Sequence, residues 1–418
     1  MLERLGFPPV GDHRRFVTAL AIDAMGSGVF MPVSMLYFLV TTDLSLVQVG
    51  GAISLASLVA LPAGPLIGSV VDRVGAKHVL LAGNVLQALG FAAYLVADSF
   101  VSLTLWTVVV TVGRTAFWGS FGNIVAAISR PGEREKWFGF LGALRNVGFA
   151  VGGLAAGAAI TVGTESAYAT VVVVNAASYA VAFVLLLSVP ATASRATPSP
   201  GAEVEVGSWA VVLADRPYRV LFLGQLAYST SMMALNFAMP VYATEVLGLA
   251  GWVTGAVFTI NTVMVGFGQG LVVRGLTGRV RWRVLLAANA TFALSYVVLL
   301  GASRLSVVLA TTVVLVGSVV YTMGELLGGP VHGALSAEAA PEHLRGRYLS
   351  LIQLAWNGSG ALAPVAVAWL LSHGEEPVWL AFVGVAALGM LLAVRLGSVM
   401  PRAAQPVTNR AEDEPVVT

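Results

Sequence analysis

The sequence predicts an all-α membrane protein, with twelve transmembrane helices in two pseudo-symmetric six-helix bundles. Three observations carry this. First, only 11% of the 418 residues are charged, where a soluble domain has about 25%. Residues of the AVILMFWYC set make up 57%, and Gly adds 46 more. A soluble fold of this length cannot hide that much apolar surface and still cover itself with polar groups, so a bilayer is its natural solvent. Second, the apolar residues fall in runs long enough to cross about 30 Å of hydrocarbon as helix. Third, Lys and Arg alternate between loops in the manner of a polytopic protein.

In chain order the predicted spans are 16–40, 46–70, 79–97, 101–128, 137–162, 167–189, 218–243, 251–273, 283–302, 306–335, 348–372 and 377–397. Most are apolar all round, so length identifies them as helices, with the rule that lipid-exposed backbone must satisfy its own hydrogen bonds. The short alternating segments of a membrane β-barrel are absent. Every Lys or Arg except Arg114, Arg145 and Arg304 lies at the N-terminus, in the loops on the same side, or at the C-terminal end. Arg304 is on the opposite side, and Arg114 and Arg145 lie within spans. The positive-inside rule then puts both termini in the cytoplasm, of a bacterial inner membrane. The first apolar run is too long for a signal peptide, contains Asp23 and has no small-residue cleavage site, so it is expected to be retained.

The longest break contains Pro190, Pro198, Pro200, Glu203 and Glu205. It divides the chain into a bundle over 1–189, a cytoplasmic linker over 190–216, a bundle over 217–397 and a tail over 398–418. Residues 208–214, with Trp209, are expected to form a short surface helix, and the polar tail from Pro401 is expected to be disordered. The halves look related. Thr111-Val112-Gly113-Arg114 matches Thr322-Met323-Gly324-Glu325 at an offset of 211, which also puts Lys136-Trp137 on Arg347-Tyr348 and Asn146 on Asn357. Met31-Pro32-Val33 matches Met239-Pro240-Val241 at an offset of 208. Repeats of this kind place a substrate site between the halves, near the midplane.

Between spans 2 and 3 stands Gly68-Ser69-Val70-Val71-Asp72-Arg73-Val74-Gly75-Ala76-Lys77-His78. Gly68 permits close helix approach and Gly75 a tight turn. Asp72 can face the positive end of a helix, while Arg73 and Lys77 stay in the cytoplasm. This run resembles the signature loop of the major facilitator superfamily, departing from it at Ala76, where a basic residue is usual. The corresponding loop of the second half, 270–279, keeps glycines and arginines but lacks the Asp-Arg pair. The resemblance implies alternating access by rocking of two six-helix bundles, with spans 1, 4, 7 and 10 around a central cavity. It also implies that Asp72 helps latch the cytoplasmic side when the transporter opens outward. Arg114 in span 4, Gly148-Phe149-Ala150-Val151-Gly152-Gly153 in span 5 (with Phe149 where the pattern has proline) and the run from Asp23 to Pro32 resemble the drug:proton antiporter branch.

Asp23, Arg114, Arg145 and Glu325 are ionisable and lie well within spans. Each would cost on the order of 3 kcal/mol alone at a span centre, so each must face a partner, water or the bundle interior. Asp23 and Arg145 lie at matching depth, about 12 Å from the cytoplasmic ends of their spans. Arg145 is therefore a natural partner for Asp23, and Arg114 is also within reach. Two readings stay open for these groups, proton uptake and release coupled to conformation or a static ion pair. Glu325 has no basic neighbour in its own half, which leaves it to bind protons, a cationic substrate, or Arg114 across the cavity. His332 reads as a packed or solvated residue. Trp118 and Trp356 lie away from the interfaces that hold the other tryptophans, and with Met233, Gln225, Asn236, Tyr321 and Asn357 they are the candidates for a cavity wall. Such a wall suits amphipathic, drug-like cargo.

The chain has no Cys, hence no disulfide or thiolate site, and its only lysines are Lys77 and Lys136. No HExxH, GxSxG or phosphate-loop pattern occurs, which argues against an enzyme and against ATP hydrolysis. The expected partners are a small-molecule substrate, protons and lipid, with no cofactor, metal or nucleic acid, and a monomeric state. The function expected is proton-coupled efflux. Proton-coupled uptake of a metabolite, lipid flipping and sensing are the alternatives the same fold allows.

Overall fold

The computed structural model describes residues 7–130, 132–188, 209–250 and 252–408. Helices occupy each of the twelve predicted stretches. Eight are long and apolar enough to cross a membrane by themselves, and a bent pair makes a ninth. The other three are the helices of spans 3, 7 and 11. They carry Asn84 and Gln87, Gln225, and Ser359, polar side chains that are expensive in lipid and are buried here.

Helix starts follow local chemistry. Ser45 and Ser99 close capping boxes at the heads of spans 2 and 4, and Thr164 caps span 6. Asp215 caps span 7 by accepting from the Tyr218 amide at 3.0 Å. Proline sets the breaks, because it donates no amide hydrogen and collides with the carbonyl a turn earlier. Span 1 passes through a 3-10 turn at Met31–Val33, and span 7 loosens into π turns on both sides of Met239–Val241, so the repeated Met-Pro-Val marks a break in both halves. Span 2 bends by 45° between Gln48–Ala60 and Ala63–Val74.

The signature run is less of a loop than its composition implies. Helix continues to Val74, the next begins at Ala76, and Gly75 alone turns the chain with φ at 92°. Two further corrections concern the linker and the tail. Trp209–Ala214 is helical, but it is anchored rather than afloat, because the Trp209 indole donates to Ser69 Oγ at 3.2 Å and Val212 is fully buried. Residues 401–408 of the tail are not disordered, and they pair with the loop between spans 8 and 9. The rest of the predicted linker, 190–208, and 409–418 of the tail lie outside the described residues.

Each bundle holds two apolar clusters, one toward the face bearing the chain termini and one toward the opposite face. Small residues bring the helices close. A Cβ on Gly113 would lie 2.9 Å from the Gly83 carbonyl, and one on its repeat counterpart Gly324 would lie 2.9 Å from the Ala288 carbonyl. Between the bundles, packing gathers on the terminal-face half. Spans 2, 4 and 5 there meet spans 8, 10 and 11, through contacts such as Gly122 on Leu349, Gly139 on Val273 and Gly333 on Phe138. Toward the opposite face, Met31 of span 1 and Asn236 of span 7 are exposed.

Candidate functional site

Two sets of polar contacts join the bundles at the terminal face. In the first, the Asp72 carboxylate sits at the N-terminus of the helix Arg345–Ser372. It accepts from the Gly346 amide at 2.6 Å and the Arg347 amide at 3.2 Å, and pairs with the Arg347 guanidinium at 3.3 Å. Unpaired amides and the helix dipole both favour an anion at that position. The approach needs glycine on both sides, because a Cβ on Gly346 would lie 2.7 Å from the Gly68 carbonyl. Ser69 Oγ accepts from Arg347 Nε at 3.4 Å and from Trp209. Arg73 is exposed, and Lys77 donates to the Leu187 carbonyl at 2.8 Å, which ties spans 3 and 6 within one bundle.

The second set was not foreseen. Arg281, at the start of span 9, donates to Glu135 of span 5 from Nε at 2.7 Å and Nη2 at 2.5 Å. Its Nη1 meets Glu338 of span 10 at 2.5 Å, and Arg134 approaches Glu338 at 3.6 Å. Arg281 and Glu135 are 2% and 0% exposed, so the pair is sealed from solvent. Loop charges of this kind look like orientation signals in a sequence, and nothing in their spacing announces a contact across the bundles.

At the span centres, the four ionisable residues are distributed over both bundles. Arg145 and the Tyr179 hydroxyl act on Asp23. Among the described residues, however, the ion pairs within 4 Å do not include Asp23 with Arg145. The Arg145 guanidinium instead lies 4.1 Å from the centre of the Trp118 ring and 5.1 Å from that of Phe149, a cation–π arrangement that shelters it without neutralising it. Arg114 is exposed, and its charge acts on Tyr94, Tyr179 and Arg145 of its own bundle. Glu325 accepts from Asn261 Nδ2 of span 8 at 2.6 Å, and its backbone carbonyl accepts from the Tyr228 hydroxyl at 3.2 Å. No cation lies within ion-pair distance of Glu325 among the described residues.

The proposed cavity wall divides. Asn236 is exposed; Met233, Trp118, Trp356 and Asn357 are half-buried. Trp356 meets the Tyr228 ring edge-on and Asn357 accepts from Gln353 at 3.2 Å. Tyr321 and Gln225 are 0% and 2% exposed, which corrects their expected place in the wall. The Tyr321 hydroxyl is spent on the Met232 carbonyl, and a side chain without accessible surface offers a ligand nothing to touch. His332 is buried, as expected of a packed residue. In Gly148–Gly153 the glycines are packing devices. Cβ atoms on Gly148 and Gly152 would lie 2.7 Å from Ala24 Cβ and from the Val29 amide of span 1, while one on Gly153 would meet nothing. Sequence reading missed Asn261, Tyr179, Glu135, Arg281 and Glu338. Asn261 alone had a usable signal, being an amide in the middle of an apolar span. Among the described residues no three His, Asp or Glu side chains gather as a metal site.

Comparison with known proteins agrees with this architecture. The model of the Major Facilitator Superfamily matches residues 16–324. Multidrug resistance protein MdtH of Aeromonas hydrophila subsp. hydrophila is 27% identical over 250 residues, 59% of this chain and 61% of that protein. Tetracycline resistance protein, class B, of Escherichia coli is 23% identical over 395 residues, 90% of this chain and 92% of the relative. Among solved structures, a bacterial homologue of the iron transporter ferroportin in its outward-facing state with soaked iron superposes with a TM-score of 0.77 at 15% identity, covering 93% of this chain and 99% of that one. The human organic anion transporter MFSD10 (TETRAN) gives 0.67 at 15% identity, covering 92% and 100%. At these identities the structures speak for the fold alone.

Proposed function

Because the chain belongs to the Major Facilitator Superfamily, and is therefore a multi-pass membrane transporter and not an enzyme, we propose that it exports small amphipathic, drug-like molecules from a bacterial cell in exchange for protons. The terminal face is then cytoplasmic, as the Lys and Arg distribution requires. The two sets of contacts described above then act as latches that hold that side shut.

One observation carries the proton reading: Glu325 is held by a neutral amide and, among the described residues, by no cation. Asn261 can donate its N–H to a carboxylate or turn its carbonyl to accept from a carboxylic acid, so it supports both protonation states. A carboxyl fixed in a salt bridge lacks that freedom. Asp23, with Arg145 committed to Trp118, is the second proton-binding candidate, on the opposite bundle. Alternation between wet and dry surroundings would then load and discharge these groups as the bundles rock. Efflux as the direction, and drugs as the cargo, draw support from the multidrug and tetracycline resistance proteins among its relatives.

The test is proton movement on addition of candidate compounds to the purified protein in liposomes. Proton exchange opposite in direction to the compound supports antiport. Protons travelling with the compound mean uptake, and compound movement with no proton movement removes the coupling.

A further inference from the structure

The C-terminal segment behind span 12 returns to the second latch. After a 3-10 turn at Arg402–Ala404, Pro406 pairs antiparallel with Val280 in the loop between spans 8 and 9. Three backbone bonds fix the register: the Gly278 amide donates to the Val407 carbonyl at 2.7 Å, the Val407 amide to the Arg279 carbonyl at 2.9 Å, and the Arg281 amide to the Gln405 carbonyl at 2.8 Å. The Val407 side chain is fully buried, in a cluster with Tyr218, Leu276, Tyr348 and Leu396. The same segment also reaches the ionic centre, because the Ala404 carbonyl accepts from Arg281 Nη1 at 2.9 Å.

We propose that the segment Ala404–Val407 is a strap that positions Arg281, main chain and guanidinium together, so that it can reach Glu135 across the bundles and hold the terminal face closed. The loop that carries Arg281 is a short turn with Gly278 at a φ of 78°, a conformation no other residue type adopts cheaply. Arg281 is also a long side chain that must satisfy three groups at once. Strand pairing with the strap orders the loop before the bundles meet. All the strap's contacts named above lie within the C-terminal bundle, so rocking breaks the reach to Glu135 and leaves the strap in place. The strap therefore acts through Arg281 and touches no substrate. This inference rests on the alternating-access reading above.

The chain has no Cys, so Arg130→Cys and Glu342→Cys, both at exposed positions, can carry a pair of spin labels on the two bundles of the full-length protein. Distance distributions across the terminal face then report the closed fraction. Arg281→Ala is expected to shift the closed-to-open ratio by tenfold or more toward open, since it removes charge-assisted bonds. Truncation after Pro401, and separately Val407→Asp in the intact chain, should shift it the same way by about tenfold. A peptide spanning residues 401–408 should restore the truncated protein. If Arg281→Ala opens the face while truncation and Val407→Asp leave the distribution unchanged, the strap has no positioning role. If Arg281→Ala leaves it unchanged, the latch reading itself fails. If the truncated chain does not fold, Val407→Asp carries the same readout.

Discussion

Asp72 and Arg281 stand on opposite sides of equivalent turns, Asp72 in the last turn of span 2 before Gly75 and Arg281 at the first residue of span 9 after Gly278, and each joins the two bundles at the same face with the opposite charge. Their partners do correspond, Gly346 standing 211 residues after Glu135. In one half a carboxylate meets bare amides at a helix start; in the other a guanidinium meets a carboxylate in the first turn of a helix.

Asp72→Asn keeps the shape and removes the charge. Amide bonds to a neutral acceptor are roughly half as strong, so the closed state should lose about 1–2 kcal/mol. Transport should slow several-fold while the order of preference among compounds stays as it was. A changed order would place Asp72 in contact with cargo and contradict its role as a latch.

The Arg281–Glu135 pair is expected to be strongly coupled. Arg281→Gln alone strands the buried Glu135 carboxylate, at a cost of roughly 3–5 kcal/mol, whereas Glu135→Gln leaves Arg281 paired with Glu338 and should cost less. The double variant strands none at this contact and should be far less damaged than the sum of the two. Melting temperatures of the four proteins give the cycle; additive losses would show that the two side chains do not depend on each other.

Gly152 and Gly153 are adjacent and should behave oppositely. Alanine at Gly152 drives a methyl into the span 1 backbone, 2.7 Å from the Val29 amide, whereas alanine at Gly153 meets open space. Gly152→Ala should cost on the order of 2 kcal/mol of stability and reduce the yield of folded protein. Gly153→Ala should match the parent. Equal tolerance at both sites would remove the close packing of spans 1 and 5 from this account.

The span pattern was legible because a bilayer imposes a length and a composition on every helix that crosses it, and the signature run pointed to Asp72 and a helix end. What stayed hidden depended on contact between distant segments. The partner of Asp72 lies more than two hundred residues away, at Gly346. Arg145 matched Asp23 in depth, but Trp118 offered its ring face as a competing site, and depth alone does not reveal a ring's orientation. Tyr321 and Gln225 looked like cavity residues because polarity in a span signals an inward face, yet inward includes the interior of one bundle as well as the gap between two. The tail was judged by its polarity, while three backbone bonds and the buried Val407 order its first eight residues.

The most direct test of the central claim is uphill transport into proteoliposomes driven by an imposed pH gradient, with the parent protein and Glu325→Gln side by side. The account predicts that the glutamine variant loses accumulation against the gradient yet still exchanges labelled for unlabelled compound across the membrane. Accumulation by Glu325→Gln equal to that of the parent would show that this carboxyl does not couple protons to transport.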